Sequence, residues 1–195
     1  MRISFPRLAF TGLSALLLCP SALSARTFGI DLKGKPIRDL AGVDTRYVVL
    51  MFAASDCPIC NRYVPEIARL SHEYSSRGVR IWWVFPNPGD TRSVVAKHNR
   101  EFSIREQTVL DPQQTLVHLA HVAITPEAAI FKVDGGGMHE IYRGCVDDRY
   151  MAIGRERPQP EHHDLELALT AALNGTIIPQ PAGPPVGCSV VFLQK

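Results

Sequence analysis

The chain has 195 residues, a length that favours one domain over two. Its hydrophobic fraction of 46% and charged fraction of 21% are typical of globular proteins and exclude wholesale disorder. The net charge of +2 comes from Arg2 and Arg7, and the rest of the chain is neutral, so we expect no binding to nucleic acid or to a membrane surface.

The first 25 residues have the features of a secretory signal peptide. Two arginines flank the start, an apolar run follows at 8–18, and small residues at 21–25 predict cleavage near Ala25. The run is short for a membrane span. Cys19 is a poor lipoprotein acceptor, because leucine precedes it and proline follows it. The predicted location is therefore periplasmic or secreted, without stable membrane insertion after cleavage.

Strand and helix patterns alternate along the rest of the chain. Residues 47–54 form a continuous apolar run, as expected of a strand buried on both faces. Apolar residues at steps of three and four then predict a helix that ends before Gly78. The later predicted elements are strand 79–86, helix 91–102, strand 107–111, helix 113–120, hairpin strands 127–133 and 139–144, and helix 163–175. This order predicts an α/β fold with a central mixed sheet flanked by helices.

The last twenty residues, 176–195, are rich in proline and glycine and are called the tail below. They predict an extended segment that lies on the domain. We therefore divide the chain into a signal peptide at 1–25, one α/β domain at 26–160, and a C-terminal helix with the tail at 161–195, packed on that domain.

Cys57 and Cys60 stand where the first predicted strand passes into a helix. Unpaired N–H groups and the helix dipole lower the pKa of a thiol at that position. Cys60 lies one turn later, and Pro58 is tolerated in a first turn. The pattern indicates an attacking and a resolving cysteine for thiol–disulfide exchange. A zinc site needs a second ligand pair, and so short a disulfide loop stabilises little, so these alternatives are less favoured; no cofactor or metal is expected.

The segment FAASDCPIC at 52–60 is similar to the strand-then-CxxC signature of the thioredoxin-like superfamily. Pro65 matches the proline that kinks the active-site helix of that family, and Thr125-Pro126 matches its cis X-Pro bond. The spacing between Cys57 and Pro126 most resembles the exported redoxin branch, which includes thiol–disulfide oxidoreductases and AhpC-TSA-like thiol peroxidases.

The resemblance implies a thioredoxin-like fold and an enzyme that exchanges disulfides with partner proteins. By this resemblance, Cys57 attacks the substrate disulfide and Cys60 resolves the mixed disulfide. Thr125, Pro126, Asp56 and Pro58 are the residues expected to position the partner chain. The implied partners are protein thiols or disulfides and a redox partner protein. Thiol peroxidase activity and non-enzymatic copper handling are the alternative functions.

The sequence departs from the family pattern around the cysteines. Asp56 stands where a tryptophan is common, and its carboxylate is expected to raise the pKa of a neighbouring thiol. Met51 replaces the buried acid of classical thioredoxins. Ala54 and Leu50 replace the hydroxyl residue and the proline of the typical peroxiredoxin motif. Ala54 and Leu50 argue against ordinary peroxidase chemistry, whereas Met51 argues against thioredoxin-style proton shuttling and Asp56 opposes the effect of the helix dipole on the thiol pKa.

Cys145 and Cys188 have three interpretations. The favoured one is a structural disulfide that fastens the tail in an oxidising compartment. In the second, Cys188 reaches Cys57 or Cys60 and acts as a third redox thiol; in the third, one or both cysteines stay reduced.

The segment YRGCVDDRY at 142–150 is similar to a motif of a less-characterised redoxin subgroup that also carries a late Gly-Cys pair. Its charged residues are expected either at the rim of the site or in a surface cluster of ion pairs. The surface cluster, which would fix the tail, is favoured because exposed ion pairs are common.

Overall fold

The computed structural model describes Met1 and residues 27–193. The predicted signal peptide beyond Met1, including Cys19, lies outside the described residues. The strands are β1 Gly29–Ile30, β2 Pro36–Ile37, β3 Tyr47–Phe52, β4 Val79–Phe85, β5 Gln107–Leu110, β6 Ile124–Thr125, β7 Glu127–Asp134, β8 Gly137–Gly144, β9 Tyr150–Ala152, β10 Arg155–Glu156 and β11 Cys188–Ser189. The helices are α1 Pro58–Arg62, α2 Val64–Tyr74, α3 Arg92–Glu101, α4 Thr115–Leu119 and α5 Asp164–Asn174, with a 3-10 turn at Ser75–Arg77.

Seven strands form one mixed sheet in the order β2-β1-β5-β4-β3-β7-β8. The central strands β3, β4 and β5 are parallel, and the other pairings are antiparallel. The predicted α/β fold, with a mixed sheet flanked by helices, is confirmed. Two short antiparallel pairs lie outside this sheet, β9 with β10 and β6 with β11. The second pair carries the tail to the start of β7.

Both faces of the central sheet are covered, which explains why β3 is apolar at every position. Val49 belongs to the core on the side of α2 and α5, whereas Leu50 belongs to the core on the side of α4. Trp82 and Trp83 are divided between the same two cores, because successive side chains of a strand point to opposite faces. Each wholly buried aliphatic side chain contributes about 1.5–3 kcal/mol to stability.

The helix predicted after β3 is divided in two at Tyr63, between α1 and α2. Pro65 has no N–H to donate to the preceding turn, and its ring conflicts with the carbonyl of that turn. The segment closes at Gly78, whose φ of 79° is a left-handed conformation that glycine adopts at little cost. None of the described helices combines the length and hydropathy needed to cross a membrane.

The core of α5 provides a test of this packing. Leu169 is wholly buried and Leu167, on the same helix, is 49% exposed. We expect Leu169→Ala to lower the free energy of unfolding by about 2–5 kcal/mol, because it leaves a cavity. Leu167→Ala, the matched control, should change it by less than about 1 kcal/mol. Urea denaturation followed by circular dichroism measures both, and equal losses would contradict the packing described.

Candidate active site

Cys57 lies at the junction of β3 and α1, immediately before the first helical residue. Its side chain is 0% exposed. The Cys57 Sγ atom lies 2.8 Å from Cys188 Sγ and 3.7 Å from the Thr125 carbonyl oxygen. The buried Cys57 sulfur therefore lies at the start of α1 and contacts both the turn before β7 and the tail.

The contacts of Cys57 favour its ionised form. Its hydrogen bond with Cys60 lowers the pKa of Cys57 to about 5, even though burial acts in the opposite direction. The Cys188 thiol and the N–H groups of Ile59 and Cys60 at the helix start lower the pKa further. Burial and the neighbouring Cys57 raise the pKa of Cys60 well above its ordinary value. Near neutral pH the pair therefore consists of a Cys57 thiolate and a Cys60 thiol.

Asp56 and Pro58 are both exposed on either side of Cys57. Burial raises the pKa of Cys188 to about 12, with further contributions from Cys57 and the Asp56 charge. Pro58 and Tyr150 both line a groove of about 370 Å³. The carboxylate expected to oppose ionisation of Cys57 thus lies at the surface, and the net pKa of Cys57 is still lowered.

The Thr125–Pro126 peptide bond is cis, as the family resemblance implies. Thr125 is wholly buried, and its Oγ1 donates a hydrogen bond of 3.3 Å to the Cys188 carbonyl oxygen. In the antiparallel pairing of β6 with β11, Cys188 lies opposite Thr125 and Ser189 lies opposite Ile124. The segment expected to position a partner chain therefore pairs with the tail of its own chain.

All four cysteines of the described residues are free. The Cys145 Sγ lies 3.6 Å from Asp164 Oδ2 and 3.4 Å from the Gly183 carbonyl oxygen. Cys188 instead contacts Cys57. The structure therefore does not form the expected disulfide between Cys145 and Cys188, because β11 carries Cys188 to Thr125 while Cys145 faces the start of α5.

The YRGCVDDRY segment is tied to the active-site helix through a buried aspartate. The Tyr63 hydroxyl, at the break between α1 and α2, donates a hydrogen bond of 2.6 Å to Asp147 Oδ1. Asp148 accepts hydrogen bonds from the N–H groups of Glu161 and His162, at 2.8 and 3.0 Å. Arg143 donates to a backbone carbonyl, that of His121. The segment thus braces both the helix and the loop before α5, which is more than a surface ion-pair cluster.

Asp90 is a site residue that the sequence patterns did not identify. The N–H and hydroxyl groups of Ser55 donate hydrogen bonds to Asp90 Oδ1, at 3.0 and 2.5 Å. Asp90 is buried, and burial raises its pKa. Its Oδ2 has no hydrogen-bond partner among the described residues. No sequence signal links the two residues, because they lie 35 positions apart in different loops.

Within residues 27–193, one group brings three possible metal-ligating side chains together, and it lies on α2 and at the start of α5 rather than at the cysteines. It consists of Glu66, His163 and Glu166. Arg69 already forms salt bridges of 2.7 Å with Glu66 and 2.6 Å with Glu166. The Arg69 guanidinium therefore already neutralises the two carboxylates that a metal ion would need as ligands.

The geometry of a CxxC pair at a strand–helix junction, facing a cis-proline, agrees with the comparison to known families. Residues 23–138, more than half of the chain, match the AhpC/TSA family. The chain belongs to the AhpC/TSA family. Its resemblance to the thioredoxin-like redoxins is thereby confirmed. No curated protein matches the chain.

Solved structures share the fold at low sequence identity. An uncharacterized conserved protein from Geobacillus kaustophilus is 24% identical, with a TM-score of 0.71, over 88% of this chain and 91% of that one. A hypothetical protein from Sinorhizobium meliloti is 19% identical, with a TM-score of 0.72, over 88% and 93%. A protein from Chlorobium tepidum, assigned as the thiol:disulfide interchange protein DsbE, is 20% identical, with a TM-score of 0.56, over 76% and 94%.

The ionisation of Cys57 is directly measurable. In the reduced protein, ultraviolet absorbance of the thiolate should rise as the pH increases through about 5, because Cys57 loses its proton there. An ordinary thiol ionises at about 8.5. The step should be absent from Cys57→Ser and present in Cys145→Ser, since burial raises the pKa of Cys145 to about 12. A first ionisation step near the ordinary thiol value would contradict the proposed environment.

The support of Ser55 by Asp90 predicts a loss of stability on truncation. Asp90→Ala leaves the buried donors of Ser55 without their acceptor, so the free energy of unfolding should fall by about 1–3 kcal/mol. Asp90→Asn keeps an acceptor oxygen and should lose less. Thermal and urea unfolding of the two variants provide the comparison, and an Asp90→Ala protein as stable as the wild type would show that this contact contributes nothing.

Proposed function

We propose that this protein is an exported thiol–disulfide oxidoreductase that exchanges disulfides with partner proteins through Cys57 and Cys60. The observation that carries the proposal is the position of Cys57 immediately before α1, with Cys60 in that helix and with the Thr125 carbonyl 3.7 Å from Cys57 Sγ, an environment that lowers the pKa of Cys57 and raises that of Cys60. The thiolate is the nucleophile of disulfide exchange, and a thiol of low pKa is also the better leaving group. Cys57 thus forms the mixed disulfide with the partner, and Cys60 displaces the partner from it.

The fold supports the same assignment. Cys57 stands at the carboxyl end of the parallel strand β3, the edge at which open α/β sheets place their ligands. The Chlorobium tepidum neighbour, assigned to thiol:disulfide interchange, shares this fold. Export follows from the predicted signal peptide at 1–25, and an oxidising compartment supplies partner proteins that carry disulfides.

Peroxide reduction is the competing activity within the same family, and the immediate surroundings of Cys57 argue against it. The positions at which the typical peroxiredoxin motif carries a hydroxyl residue and a proline are Ala54 and Leu50. Both are buried, at 1% and 0% exposure. Neither side chain has a polar group that would hydrogen-bond to a peroxide.

Copper handling, the remaining alternative, calls for a histidine close to the paired cysteines. Among the described residues, one cluster of three possible metal-ligating side chains is found, and it consists of Glu66, His163 and Glu166. It does not include Cys57 or Cys60. We therefore favour disulfide exchange over copper binding.

The proposal is tested by thiol–disulfide exchange on the mature protein, for example the reduction of insulin disulfides by dithiothreitol. Cys57→Ser should reduce turnover to the uncatalysed rate, because no other thiol of the pair is ionised near neutral pH. Cys145→Ser is the matched control and should retain activity, since Cys145 contacts Asp164 and Gly183 rather than the pair.

Two results would refute the proposal. One is turnover in Cys57→Ser equal to that of the wild type. The other is steady consumption of hydrogen peroxide that depends on Cys57 in a protein with no exchange activity, which would identify a peroxidase instead.

A further inference from the structure

The tail pairs with the strand that precedes the cis-proline. Strand β11 adds to β6 in antiparallel register, and the Val190 N–H donates to the Ala123 carbonyl at 2.9 Å, which extends the pairing. Val190 is buried in the core on the α4 side. Gln114 clamps the last described residues, with its Nε2 donating to the Val191 carbonyl at 2.7 Å and its Oε1 accepting from the Leu193 N–H at 3.1 Å. The tail is therefore seated by main-chain pairing, by burial and by a side-chain clamp.

Gly187 allows the tail to approach this closely. A Cβ atom at that position would overlap the Thr125 carbonyl and lie 2.8 Å from Pro126 Cδ. Only a residue without a side chain brings the backbone of residue 188 against the cis-proline turn. By contrast, a Cβ on Gly183, in the same tail, would meet nothing within 4 Å.

The Cys188 sulfur lies within reach of a bond to Cys57. Its Sγ lies 2.8 Å from Cys57 Sγ, and a disulfide bond is about 2.05 Å long, so bonding needs a movement of less than about 1 Å. Cys57 is 0% exposed, whereas Cys188 is partly exposed. Among residues 27–193, Cys188 is the thiol outside the CxxC pair that contacts Cys57.

We propose that Cys188 is a third catalytic cysteine, which exchanges the disulfide with Cys57 inside the chain, so that the tail acts as a built-in partner of the CxxC pair. The inference rests on the thiol–disulfide chemistry proposed above and adds a residue to it.

The exchange step balances without an outside oxidant. In the oxidised protein, the Cys188 thiol gives its proton to solvent and its sulfur attacks Cys57 Sγ. The bond between Cys57 and Cys188 forms as the bond between Cys57 and Cys60 breaks, and the electron pair leaves with Cys60 Sγ, which takes up a proton. One disulfide and one thiol are present before and after the step. The reverse step, attack by Cys60, restores the CxxC disulfide.

Disulfide mapping tests the exchange directly. Trypsin separates the cysteines, because it leaves Cys57 in residues 47–62, Cys145 in 144–149 and Cys188 in 156–195. Reduced Cys60→Ser protein is treated with one equivalent of diamide, quenched with N-ethylmaleimide at low pH, digested and analysed by mass spectrometry. We expect peptides 47–62 and 156–195 to be joined in most molecules. Cys57→Ser, which retains Cys60 and Cys188, should give at least about tenfold less of the joined pair.

Gly187→Ala and Gly183→Ala in the Cys60→Ser background form a matched pair. The first displaces the tail by overlap with backbone atoms, so the joined fraction should fall about tenfold, while the second should leave it unchanged. Oxidised wild-type protein is mapped in parallel, and it should contain the joined pair beside the intrapeptide disulfide of 47–62. Because the wild-type protein carries no substitution, this mapping tests the exchange even if a glycine variant does not fold.

The outcomes separate this inference from the proposed function. If Cys57 is oxidised while Cys188 is fully alkylated, in Cys60→Ser and in the wild type, Cys188 is not an exchange partner, whatever the insulin assay shows. If the joined pair forms but the wild type has no turnover with protein disulfides, Cys188 exchange stands and the proposed function falls. Equal joined fractions in the two glycine variants would overturn the role given to the seated tail.

Discussion

The stabilisation of one buried sulfur anion, that of Cys57, is the interaction around which the site is arranged. Burial disfavours a thiolate unless hydrogen bonds and local dipoles compensate for the lost water. The Cys60 and Cys188 thiols and the N–H groups at the start of α1 provide that compensation, so the pKa of Cys57 is lowered to about 5 despite its burial. Each of these contributions requires a precise position of the chain, and the remaining structure supplies it.

Three braces hold the chain in that position. Pro65 divides the helix at Tyr63, and the Tyr63 hydroxyl is held by Asp147. Asp90 holds Ser55 on the other side of Cys57. Opposite the helix, the cis-proline turn and the tail close over the sulfur. Asp147 and Asp90 are buried polar groups that contact no reacting atom, and their hydrogen bonds explain why aspartates are found there.

The residues that depart from the family pattern are compatible with this arrangement. Asp56, in the place of a common tryptophan, is exposed, and its charge raises the pKa values of Cys188 and Asp90 in addition to the effect of burial. Met51 is wholly buried in the core and has no ionisable group. The thiolate is therefore stabilised by sulfur and backbone donors, including a third cysteine that approaches from the tail.

Local sequence patterns alone determined the order of the five main strands and of the helices, and the CxxC pair, but not the six short strands β1, β2, β6, β9, β10 and β11. A run such as 47–52 or a hairpin such as 127–144 is specified by its own apolar spacing and turn residues, and Cys57 and Cys60 are neighbours in any helix. Contacts between distant segments were decided by tertiary packing. Cys188 lies 131 positions from Cys57, and pairing of β11 with β6 brings them together. For this reason the structure places Cys188 beside Cys57 and does not form the disulfide expected with Cys145: cysteine counting gives the possible pairings, and only the path of the tail selects among them.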